Sequence, residues 1–143
     1  GAISVPGQVV QVQSTATALF TSTGSTTLAD LLTISFTPKF STSQLRIDVC
    51  LRWQENTTNN NLKYKVLNGS TTVYDILNYA AYHDAAANSI DTLTFHAFGV
   101  AGSTSARDIK FQVAKVNSGG TFYVNPNDPD ATATRMTVME IAQ

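Results

Sequence analysis

The chain has 143 residues, enough for one domain with its own core, and a hydrophobic fraction of 43% excludes a disordered tract. Charged residues make up 13% of the chain and the formal net charge is −1, so no basic surface for nucleic acid is expected. No run of 18 apolar residues occurs, so no insertion into a membrane is expected either.

The dominant hydrophobic period is two, the period of a half-buried strand. Residues 8–13 read as a first strand and residues 18–21 as a second, with a turn at 22–25 around Gly24. Residues 31–37 put Leu32, Ile34 and Phe36 on one face, and Pro38, which has no N–H to donate, ends the run. Residues 45–53 form the clearest strand, with Leu45, Ile47, Val49, Leu51 and Trp53 on one face and Arg46, Asp48, Cys50 and Arg52 on the other. A polar loop over 54–61 contains Asn59, Asn60 and Asn61. Residues 62–67 and 71–77 then read as a hairpin joined at Asn68-Gly69, because both residues tolerate positive φ. The alanine-rich stretch 79–88 admits a helix, but a strand through residues 79–83 fits its β neighbours equally. Residues 90–98, 108–116, 121–125 and 135–142 complete about ten strands, separated by small-residue loops at 99–105 and 126–131. On residues 108–116 the apolar face carries Ile109, Phe111, Val113 and also Lys115. Many short strands and no alternating helices predict an all-β antiparallel sandwich or jelly roll, one domain over 1–143. The chain opens at Gly1-Ala2 without Met and is expected to be part of a longer protein.

Candidate chemistry is sparse. The single cysteine, Cys50, has no second thiol to pair with and reads as a structural strand residue. The two histidines, His83 and His96, do not share metal-ligand spacing with it, and no nucleophile or carboxylate pair emerges. No enzymatic activity, metal or cofactor is therefore expected. Asn125, Asn127, Asp128 and Asp130 place four oxygen-bearing side chains in one loop. They lack the bend glycine and distal glutamate of a calcium loop, so they read as turn formers. Asn56-Thr57-Thr58 and Asn68-Gly69-Ser70 match the glycosylation acceptor pattern. Trp53, Tyr74, Tyr79 and Tyr82 could stack on a sugar ring, the alternative for each being core or subunit packing.

Gly7-Gln8-Val9-Val10-Gln11-Val12 resembles the opening of a bacteriophage tail-fibre C-terminal domain family. Similar to that family too are Ile34-Ser35-Phe36-Thr37-Pro38 and, after a Ser/Thr stretch, Ser43-Gln44-Leu45-Arg46-Ile47. Near the end of the chain, residues 119–125 and 136–142 add two further matches in the same order. The centre, residues 53–106, departs from the pattern. The resemblance implies a β-sandwich that trimerises at the outward-facing tip of a virion fibre and attaches to a host-cell surface glycan or outer-membrane protein. No binding residue carries over from the family. The expected contacts come from the loops at 54–61, 79–88, 99–105 and 125–130, with Trp53, Asn59, Asn60, Tyr79, Tyr82, His83, Asn127 and Asp128 as the candidate residues. The alternatives are a purely structural virion protein, such as a trimerisation cap, capsid fibre or decoration domain, and a carbohydrate-binding module.

Overall fold

The computed structural model describes residues 3, 5–17, 21–56, 60–83, 90–126 and 133–143, and for 21–23, 60, 79 and 81–83 it describes the backbone alone. All regular structure among these residues is β. The strands are β1 (Val9–Thr17), β2 (Thr21–Thr23), β3 (Ala29–Phe36), β4 (Gln44–Glu55), β5 (Asn60–Asn68), β6 (Thr71–His83), β7 (Ile90–Val100), β8 (Arg107–Lys115), β9 (Phe122–Val124) and β10 (Thr134–Ile141).

Pairing resolves them into two antiparallel sheets of six and four strands. The longest shared strand, β4, is paired by β7 from Gln44↔Val100 to Gln54↔Ile90. Its opposite edge is divided end to end between β10, which pairs with Gln44–Cys50, and β9, which pairs with Trp53–Glu55. β1 and β2 extend the same two halves, since β1 pairs with β10 and β2 with β9. The six strands are thus four rows, in the order β1/β2, β9/β10, β4, β7. The second sheet is β3-β8-β5-β6. Numbered along the chain as eight rows, the sheets read 1-8-3-6 and 2-7-4-5. That order is the jelly roll, two Greek keys folded over one core.

The core follows the alternation. Leu45, Ile47, Val49, Leu51 and Trp53 of β4 face Leu62, Tyr64 and Val66 of β5 and Ile109, Phe111 and Val113 of β8. Trp53 stacks on Phe122, with centroids 5.9 Å apart, and Tyr64 stacks on Phe95 at 4.3 Å. Several boundaries differ from the sequence reading. β2 occupies Thr21–Thr23, where the end of a strand at 18–21 and a turn from residue 22 were expected. β6 runs on to His83, so the strand option prevails over the helix as far as the described residues reach. The β5–β6 turn lies one residue later than expected. Asn68 pairs with Thr71, leaving Gly69 and Ser70 as the two-residue loop, with Gly69 at φ 61. Only glycine adopts that conformation without strain at the first turn position.

Two buried carboxylates hold the sandwich together away from the apolar core. At one end, Glu55 of β4 and Lys115 of β8, both almost fully buried, form an ion pair of 3.2 Å between the two sheets. Lys115 also donates to the Gly119 carbonyl, and Glu55 accepts from the Asn61 backbone N–H at 3.3 Å. At the other end, Glu140 is inaccessible to solvent and accepts from Gln11 Nε2 at 2.5 Å and from the backbone N–H groups of Lys39 and Phe40 at 2.9 and 3.0 Å. Burial alone would raise its pKa, but the bonds from Gln11, Lys39 and Phe40 outweigh it and hold the carboxyl below the ordinary glutamate value.

Candidate functional site

Strand direction sorts the expected contact loops by end. β4 ends at Glu55 and β6 ends at His83, both at the end of the sandwich that holds the Glu55–Lys115 pair, whereas β9 begins at that end and runs away from it, from Phe122 opposite Glu55 to Val124 opposite Trp53. The described parts of 54–61 and 79–88, residues 54–56, 60–61 and 79–83, therefore lie toward one end, while residues 125–126 follow β9 back along β4. The fourth, around 99–105, lies at the opposite end beside the Gly69 turn, where Gly69 N donates to Asp108 O at 2.9 Å.

The candidate residues separate on closer view. Trp53 is 1% exposed and packed in the core, so it offers no ring face to a ligand; the core alternative holds for it. Its position follows from parity, since it continues the buried face of β4. Asn60, Tyr79, Tyr82 and His83 belong to strands rather than loops, with Asn60 paired to His83 and Asn61 to Tyr82. Asn59, Asn127 and Asp128 lie outside the described residues. Gln54 and Glu55, expected in a loop, are buried at the end of β4. Asn61 is also buried, and its Oδ1 accepts from Val116 N and Asn117 N at 2.9 and 3.0 Å. The Asn125 side chain is engaged within the fold. The residue is fully buried at φ 51, its Nδ2 donates to Thr17 O at 2.8 Å, and its Oδ1 accepts from the Thr134 hydroxyl at 2.8 Å. The 99–105 stretch is held from within, because Arg107 donates to the carbonyls of Ala101, Ser103 and Ser105.

A concave surface lies elsewhere among the described residues, on the outer face of the β1-β10-β4-β7 sheet. Register brings Ser14, Thr137, Asp48 and His96 into one row across four strands, and Ala16, Arg135, Cys50 and Thr94 into the next. Asp48, Cys50, Thr94, His96, Arg135 and Thr137 line a shallow depression of about 340 Å³. It adjoins a second, of about 270 Å³, bounded by Ser14, Ala16, Arg135 and Thr137. Arg46 bonds Asp48 at 3.0 Å, and the Ser14 and Thr137 hydroxyls bond each other at 2.8 Å. The surface therefore mixes hydroxyls, one carboxylate, a guanidinium and an imidazole, the groups that hydrogen-bond a polyhydroxylated ligand. Sequence reasoning placed Cys50 and His96 on strands but missed this surface, because neighbours across a sheet depend on strand order. Among the described residues, no three His, Cys, Asp or Glu side chains gather as a metal site.

The fold has counterparts among solved structures. Over 92% of its length the chain superposes on a chain of the infectious bursal disease virus particle and on one of the VP2 subviral particle of that virus, each at 16% identity and a TM-score of 0.51. The likeness is one of fold. The chain spans little more than a third of those proteins, 35% and 37% of their lengths. No protein-family model and no curated protein sequence matches. In this fold the depression occupies a broad sheet face, away from the loop ends.

Proposed function

We propose that the chain is a structural building block of a virion, a jelly-roll domain that assembles with copies of itself in a shell or fibre. The observation that carries this reading is the 1-8-3-6 and 2-7-4-5 row order, together with its superposition on virus-particle chains over 92% of the length. Jelly rolls serve viral capsids repeatedly, although they also serve lectins, so fold supports the reading without defining a partner. Electron microscopy of the concentrated protein tests it. Repeating rings, lattices or rods are expected; a field of isolated small particles would count against it.

A second reading, host attachment as the trimeric tip of a phage tail fibre, draws support from the polar depression and from the tail-fibre resemblance. Three weak sites on one rigid trimer gain avidity without any new contact. Glycan-array binding that is lost on His96→Ala and Arg135→Ala, with the fold retained, is the outcome this reading expects. An array without signal for the trimer would remove it for glycans.

A further inference from the structure

Among the described residues the sandwich has four edge rows, β1 with the three-residue β2 and β3 on one side, and β6 and β7 on the other. Exposed edges are templates for pairing with another chain, and proteins blunt them with bulges, lysines or prolines. Three of the four are blunted. β1 carries a register shift at Val9/Gln11 and Lys39 Nζ donates to its Val10 carbonyl at 2.9 Å. β3 shifts register between Asp30 and Leu32, and β6 is paired across two shifts. β7 has none of these devices. It runs against β4 without a shift, and the sequence from Ile90 to Val100 contains no Lys, Arg or Pro.

The hydrogen-bond phase shows which β7 groups face outward. Ala101 N donates to Ser43 O at 2.8 Å, which makes Ser43–Ala101 a bonded pair of the antiparallel ladder. Bonded pairs alternate, so Gly99, Ala97, Phe95 and Leu93 turn their backbone groups toward β4. Thr94, His96 and Phe98 turn theirs away. The Val100 carbonyl, in the same phase, is taken by Asn68 Nδ2 at 3.2 Å, and Thr92 N is met by Asp91 Oδ1 at 2.8 Å. Among the described residues nothing bonds the backbone of Thr94, His96 or Phe98.

We infer that the β7 edge pairs antiparallel with β7 of a second copy about a two-fold axis at Phe95, joining two sheets into one. The choice of occupant rests on self-complementarity. That register sets Thr94 opposite His96, Thr92 opposite Phe98 and Ile90 opposite Val100. No like charges meet, Phe95 meets Phe95 across the axis as an aromatic pair, and the exposed Ile90 and Val100, at 41% and 66%, cover each other. An isologous contact of this kind leaves the remaining faces free for other symmetry contacts and does not depend on the virion reading.

Hydrogen exchange across a concentration series, paired with the solution mass, tests the contact. The amides of Thr94, His96 and Phe98 are expected to gain protection as the protein associates. Thr94→Pro removes an N–H that the β4 ladder does not use, so it should leave the fold intact and weaken association at least about tenfold. Association that leaves those three amides as open as in dilute protein would overturn the β7 contact while leaving self-assembly through another surface. A wild type that stays monomeric at every concentration, with the amides open, would also overturn it and leave the edge to a strand of another protein.

Discussion

Glu140 and Lys115 are the residues whose chemistry departs furthest from a plain apolar core. Glu140 gathers the β1 side chain Gln11 and the backbone of residues 39 and 40 around one carboxylate. Its folded pKa is depressed below 4.5, so its contribution is complete above that value and is lost as pH falls through the lower folded one. Chemical denaturation from pH 7 downward should therefore show stability declining below about pH 4.5. Glu140→Gln should lose about 1–3 kcal/mol at neutral pH and flatten that decline. Lys115 is buried against Glu55, and removing one member of such a pair strands the other charge. Lys115→Met is expected to cost about 3–5 kcal/mol in urea unfolding, and the Glu55→Leu/Lys115→Met double variant should recover much of it. Parity in the sequence marked Lys115, whereas Glu55 was expected in the loop at 54–61. Lys115 follows Ile109, Phe111 and Val113 at intervals of two, and Glu55 follows Leu51 and Trp53. Parity gives the face of a strand, but it does not name the partner across the core.

At the scale of elements, alternation made β3, β4, β7, β8 and β10 legible, because each buries one face and leaves the other wet. It failed at β2, a three-residue strand too short to express a period, and at the far half of β6, where alanines favour helix and strand alike. The hairpin was found but its turn was displaced by one residue. Asn68 is held in the ladder opposite Thr71, and its Nδ2 is bonded to the Val100 carbonyl. The connection from β7 to β8 is held by Arg107, which donates to Ala101, Ser103 and Ser105, beside the backbone bonds from Ala101 N to Ser43 O and from Gly102 N to Ser41 O. Arg107→Ala should leave the sheets paired and raise amide exchange across residues 101–106, with about 1.5–3 kcal/mol lost for the charged hydrogen bonds. Unchanged exchange there would mean that the loop is held by other contacts.

For the whole molecule, the sequence supports an all-β sandwich of about ten strands, and the structure has that form. Row order was beyond the sequence, since pairings such as β1 with β10 join residues more than 100 positions apart. The outer-face depression was hidden for the same reason: Ser14, Asp48, His96 and Thr137 meet only once four distant strands are laid side by side. Jelly-roll order, an unblunted β7 edge and exposed Ile90, Phe98 and Val100 are the features on which the proposed contact between copies rests. The most direct measurement of that claim is the solution mass by light scattering coupled to size exclusion, over a wide range of protein concentration. The account predicts a species at an integer multiple of 15.3 kDa, two copies or more, whereas a monomer of 15.3 kDa at every concentration would contradict it.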